Sequence, residues 1–191
     1  NWELLVFAHG RRGHPVSMVH RALANPLIDR WFNALRARAN TRLVRKSRAA
    51  GEVLRALHDK QLLVLPFDQN STRGLGVFVP FFGHPANTGT LLARLASRTG
   101  APVVTACALR VERGRFDVVF GEVDLEIASP DPIAGAAALN RAVERCVRQA
   151  PEQYLWSYKR FRFQPPGIPS PYGRRSKGAQ ARSAAQGRQG G

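Results

Sequence analysis

Leu62-Leu63-Val64-Leu65-Pro66-Phe67 runs without a break into Asp68-Gln69-Asn70. An apolar run this short, closed by a polar triplet, reads as a strand covered on both faces. The flanking stretches say what covers it. Upstream, Ser47 caps a helix that carries Val53, Leu54 and Leu57 to about Asp59. Before that, Asn25-Pro26 offers a cap and a first-turn proline for a helix through Leu35 or Arg38. Its apolar residues Leu27, Ile28, Trp31, Phe32 and Leu35 share one face. Leu43 and Val44 form a brief strand between the two helices, and Leu4 to Ala8 a buried strand near the start. Downstream, residues 77–82 are interrupted by Pro80, which makes them an edge strand or a loop. A helix from about Asn87 to Arg98 stops at Gly100, with Asn87 and Thr88 able to cap it. Residues 102–111 and 116–122 are antiparallel strands about a turn at Glu112-Arg113-Gly114. A last helix runs from about Ile133 to Gln149. Short apolar runs alternating with longer amphipathic ones define an α/β domain.

With 191 residues the chain is about one domain, assigned here to residues 1–172. From Gly173 onward Gly, Ser, Gln, Ala and Arg dominate, so residues 173–191 read as a disordered basic tail. Cys107 and Cys146 form no CxxC pair and read as core thiols. No apolar run reaches the ~20 residues that span a bilayer. The net charge is +16, of which the tail supplies five, leaving +11 on residues 1–173. That excess asks for an anionic partner: nucleic acid, acidic lipid or an acidic protein. No zinc-finger spacing or aromatic RNA-binding signature accompanies it.

Several stretches carry chemistry. Asp68-Gln69-Asn70, with Arg73 after it, ends a strand where α/β domains place active-site groups; an Asx turn is the structural alternative. Arg36, Arg38, Arg45 and Lys46 cluster where a guanidinium fork suits phosphate oxygens, or where cations simply complement a helix end. Residues 76–88 carry Phe78, Phe81 and Phe82, an apolar wall or ordinary core. Tyr154 to Phe163 interleaves aromatic rings with Lys159, Arg160 and Arg162, which fits a membrane interface or a base-stacking surface. None of His9, His14, His20, His58 or His84 has an acid five residues on, and His9 and His14 read as solvated. No metal site is expected from their spacing.

Asn1-Trp2-Glu3 before an apolar stretch, and Pro151-Glu152-Gln153-Tyr154-Leu155-Trp156, together resemble the bacterial lipid A biosynthesis acyltransferases, the late lauroyl and myristoyl transferases. The resemblance covers about residues 1–172. It implies a mixed β-sheet flanked by helices, similar to glycerolphosphate acyltransferases. It also implies an O-acyltransferase that moves a fatty acyl chain from acyl carrier protein to a hydroxyl of a lipid A precursor. No cofactor and no nucleic acid are expected. The setting implied is the cytoplasmic face of the inner membrane, against an anionic surface and with an anchor upstream of this chain. The family block His-Leu-Gly-Asn-Trp-Glu makes Glu3 the acidic half of a His-x4-Glu dyad. Its histidine would lie three residues before Asn1, so the stretch given is expected to be inactive by itself. Arg36 and Arg38 are implied as phosphate ligands, and Asp68, Gln69 and Arg73 as substrate-binding residues. Another glycolipid or an aminolipid as acceptor, or a basic nucleic-acid-binding module, are the alternatives.

Overall fold

The computed structural model describes residues 1–173 other than Arg21, Ala39, 46–48 and Arg73. Helix α1 (Trp2–Arg11) leads into strand β1 (Val16–His20), helix α2 (Pro26–Ala37), strand β2 (Thr41–Arg45), helix α3 (Ala49–His58) and strand β3 (Leu62–Val64). The three strands form a parallel sheet in the order β2-β1-β3, with Val16 opposite both Thr41 and Leu62. Side-chain alternation along the strands sorts the two faces. Val16 and Met18 pack with Val6 of α1, Leu43 and Val64. Val19, Val44 and Leu63 pack with Val53 and Leu57 of α3. The sheet is therefore clad on both faces, as parallel sheets must be.

Two hairpins complete the strands, β4 (Gly76–Phe81) with β5 (His84–Gly89) and β6 (Val104–Glu112) with β7 (Arg115–Glu122). The β4–β5 turn has positive φ at both Phe82 and Gly83, the twist-matched geometry that closes a hairpin in two residues. Pro80 faces Pro85 across it. The pair lies one step from the hydrogen-bonded closing pair, where the ladder asks for no N–H. Their outward carbonyls accept instead from the side chains of Asn140 (2.8 Å) and Gln164 (3.1 Å). Helix α4 (Leu91–Thr99) ends at Gly100 in the left-handed conformation, and α5 (Pro132–Gln149) is capped by Asp131. A third core joins Ala138 and Leu139 of α5 to Ile127, Phe67 and Leu92.

The α/β reading holds, while the single mixed sheet resolves into three small sheets flanked by helices. Residues 4–8 are helical, not a strand: a five-residue apolar run fits one turn of a buried helix equally well, and α1 continues through Arg11. Strand β1 carries Ser17 and His20, which hid it in the sequence. Helix α4 starts at Leu91, and Asn87 and Thr88 lie buried on β5 instead of capping it. The Ser47 cap and the tail from Arg174 fall outside the described residues. Cys107 and Cys146 are free and half-buried, and burial followed by the neighbouring Cys146 pushes the Cys107 thiol up to about 11.

Helix α2 departs from a usual surface helix, burying an acid while Leu27, Ile28 and Trp31 stay exposed. Asn25 caps it as expected, its side chain accepting from the backbone N–H groups of Leu27 (2.9 Å) and Ile28 (3.3 Å). Yet polar residues turn inward beside the half-buried Phe32 and Leu35. Asp29 is buried and accepts from Leu23 N–H (2.9 Å) and the Asn33 amide (3.0 Å). Arg36, two turns on from Asp29, is also turned inward with 12% of its side chain exposed. Leu27 and Trp31 face solvent.

Candidate active site

Glu3 sits in the first turn of α1, where the helix dipole favours a carboxylate. The Arg36 guanidinium grips it with both prongs, Nε to Oε2 at 3.1 Å and Nη2 to Oε1. Arg36 is itself steadied over the Phe32 ring at 5.6 Å. Such a two-point fork fixes the carboxylate plane as well as its position. Glu3 keeps 37% of its side chain open, so one side remains approachable. Two residues that the sequence singled out separately thus form one unit. Arg38 stands exposed at the C-cap of α2. The Arg45 side chain, Lys46 and Arg73 lie outside the described residues.

The second centre forms around the end of β3. Gln69 is exposed, while Asp68 and Asn70 are half-buried. Asn70 donates its backbone N–H to the Tyr158 hydroxyl (2.9 Å) and its side-chain amide to the Lys159 carbonyl (2.9 Å). Arg160 is 3% exposed and completes the network. Its Nη1 donates to Asn70 Oδ1 (3.1 Å) and the Asn87 carbonyl (2.8 Å). Its Nη2 donates to Thr88 Oγ1 (2.8 Å) and Asn140 Oδ1 (3.3 Å). Arg160 Nε and Asn87 Oδ1 are buried without a hydrogen-bond partner among the described residues. Burial pushes the Arg160 guanidinium downward, opposed mainly by Tyr154, Tyr158 and Asp68. Burial and then the Asp68 charge push the Tyr154 hydroxyl up to about 12.

The sequence placed residues 154–163 at a surface, and half of them turn inward. Leu155, Trp156, Lys159 and Arg162 are exposed, whereas Tyr154 and Phe161 pack against the buried Phe81 ring at 6.2 and 6.1 Å, with Arg160 over that ring at 5.4 Å. Phe81 is therefore core, and only Phe78 of the β4 phenylalanines faces out. The two motif blocks also touch. Asn1 donates to Gln153 Oε1 (3.2 Å), and Gln153 pairs with both backbone groups of Arg110 (2.8 and 3.0 Å). His20 was set aside in the sequence because no acid lies five residues on. It is buried at the C-terminal end of β1, and its Nδ1 has no partner among the described residues. Burial, then His14 and Arg12, pull His9 below its ordinary value, and its ring meets Phe120 at 5.5 Å. Among the described residues no three His, Cys, Asp or Glu side chains are grouped to hold a metal ion, and no helix is long and apolar enough to cross a membrane.

Burial holds the Asp68 carboxyl above its ordinary value of 3.8, outweighing a backbone hydrogen bond and the Arg160 charge. The fold therefore binds this proton more tightly than the unfolded chain does. The stability it contributes is present below the unfolded value of 3.8 and is lost as pH rises through the raised folded one. Asp68→Asn is expected to raise the unfolding midpoint at pH 7 and to leave it unchanged near pH 3. A midpoint that drops at pH 7 would show that the ionised group is a net asset to the fold. A residue kept at a cost to stability is typical of a working site.

The sequence family described as bacterial lipid A biosynthesis acyltransferase matches residues 1–163. The lipid A biosynthesis lauroyltransferase of Escherichia coli K12 is 32% identical over 157 residues, covering 81% of this chain and 51% of that protein. The lipid A biosynthesis palmitoleoyltransferase of the same strain is 30% identical over 162 residues, covering 83% and 52%. A lipid A biosynthesis acyltransferase of Haemophilus influenzae is 28% identical over 156 residues, covering 80% and 50%. The chain spans about half the length of the curated relatives it matches. With a match running from Asn1 through the Arg160 network to Phe163, the chain belongs to the bacterial lipid A biosynthesis acyltransferase family.

Proposed function

We propose that this chain carries the acyl-transfer site of an O-acyltransferase that takes a fatty acyl group from acyl carrier protein and places it on a hydroxyl of a lipid A precursor. The site works at the cytoplasmic face of the inner membrane. The observation that carries the reading is the Glu3 carboxylate, oriented by Arg36 and open on one side, inside the block that resembles the family's His-x4-Glu motif.

In this mechanism the motif histidine removes the acceptor hydroxyl proton as the oxygen attacks the thioester carbonyl. Glu3 orients the imidazole and stabilises the imidazolium that forms. The tetrahedral intermediate collapses, the C–S bond breaks, and the imidazolium returns its proton to the leaving carrier thiolate. No serine or cysteine nucleophile is needed. Arg36 serves as the positioning group for Glu3, and the exposed Arg38 is left to meet phosphate. Asp68 and Gln69 orient substrate from the far end of β3.

The test incubates the gene product that carries this chain, in membranes, with radiolabelled acyl-carrier protein and lipid A precursor. Label is expected in the lipid fraction. No labelled lipid, together with salt-sensitive duplex binding, would replace this reading with the nucleic-acid one.

A further inference from the structure

The apolar residues on the outward face of α2 have no job in the chemistry of acyl transfer. Leu27 is 76% exposed, Trp31 59%, Ile28 47% and Leu23, just before the helix, 44%. Arg30 is exposed beside Trp31, and Arg38 is exposed at the C-terminal end. The only acid on the helix, Asp29, is buried and committed to Leu23 and Asn33. The result is a helix with an apolar stripe, an exposed tryptophan and two open cations, turned away from its own domain. Leaving four large apolar side chains in water is unfavourable, and a protein lid over them would also strip water from the arginines. A bilayer surface removes the first problem without creating the second, because the rings and chains enter the headgroup boundary while the cations meet anionic headgroups. The net charge of +16 on the whole chain favours the same kind of surface.

We infer that α2 is an interfacial helix that lies on an anionic lipid bilayer. The inference rests on the lipid-acceptor reading only in its choice of partner; the geometry and charge of the face are independent of the reaction. It also gives the exposed Leu27, Ile28 and Trp31 a reason. The face toward the bilayer is apolar, and the opposite face carries Arg36 to the Glu3 carboxylate. A lipid acceptor would then be met by a helix that contacts its membrane on one side and the acid of the site on the other.

The 191-residue chain should co-sediment with sucrose-loaded vesicles of phosphatidylglycerol and phosphatidylcholine, and more weakly with phosphatidylcholine alone. Changing Leu27→Asp and Trp31→Asp together is expected to lower the partition coefficient by more than about 10-fold, because two large apolar side chains are lost from the lipid contact. Both residues are exposed, so far-UV circular dichroism should be unchanged. Arg30→Gln with Arg38→Gln should weaken binding to the anionic vesicles by roughly 5-fold per charge. Vesicle binding that the aspartates leave intact would overturn the inference, as would no binding by the unaltered chain. A dimer that the aspartates dissociate would overturn it by assigning the face to a second copy. Loss of stability on making the same changes in the gene product would overturn it by assigning the face to another part of that chain. None of these measurements reads acyl transfer, so the surface and the reaction stand or fall separately.

Discussion

Replacing Arg160 by methionine is expected to cost about 3–5 kcal/mol of folding stability, the usual penalty for breaking a buried charged network from one side. For a domain of this size that lowers the melting midpoint by roughly 10 °C. Methionine fills much of the same volume but leaves Asn70 Oδ1 without its donor, and the Asn87 carbonyl, Thr88 Oγ1 and Asn140 Oδ1 with only the Ser71 N–H and each other. The unpaired Asn70 Oδ1 and the three weakened acceptors, all desolvated, account for most of the loss. Lysine keeps the charge but offers one nitrogen where the guanidinium reaches four acceptors with two, so Arg160→Lys should recover less than half of the lost stability. Differential scanning calorimetry of the two variants checks both points. A methionine variant within about 1 kcal/mol of the parent would mean that the surrounding aromatic packing, not the guanidinium, holds these segments together.

Glu3→Gln should lower acyl transfer by about 10²–10⁴-fold in the gene product, the range expected when a general base loses its support. Stability should change little, because the pair with Arg36 is more than a third open on the Glu3 side and such ion pairs are worth at most about 1 kcal/mol. The neutral amide still fits the space but cannot stabilise an imidazolium. Arg36→Met tests the positioning role separately. It leaves the carboxylate in place and ungripped, so a smaller loss of turnover with a broadened pH–rate profile is expected. Equal activity in the parent and in Glu3→Gln would remove the dyad from the mechanism.

Elements with local punctuation were legible in the sequence. Asn25-Pro26 marked the start of α2 and Gly100 the end of α4, whereas the Asp131 cap of α5 was read as part of a loop. The β6–β7 hairpin announced itself through two apolar runs and a glycine turn. Residues 4–8 misled because so short an apolar run has no measurable period. Glu3, Arg36 and Asp68 were legible as residue types in family-like blocks, but the pairing of Glu3 with Arg36 spans 33 positions and leaves no local trace. Arg160 was the largest surprise. An arginine among aromatic rings reads as a snorkelling surface residue. Its burial depends on acceptors from the loop after β3, from β5 and from α5, which only the assembled fold brings together. The outward turn of Leu27, Ile28 and Trp31 was hidden for a related reason: periodicity reveals a stripe but not which part of it faces the core.

The two-residue hairpin closures also have a kinetic meaning. Each hairpin can zip early, because its strands are neighbours along the chain and little loop entropy opposes them. The Arg160 clasp needs segments spread from Asn70 to Asn140 to have arrived first. It should therefore form after the rate-limiting barrier. Changes there would hasten unfolding while leaving the speed of assembly almost untouched, so the clasp governs how long a molecule lasts once made.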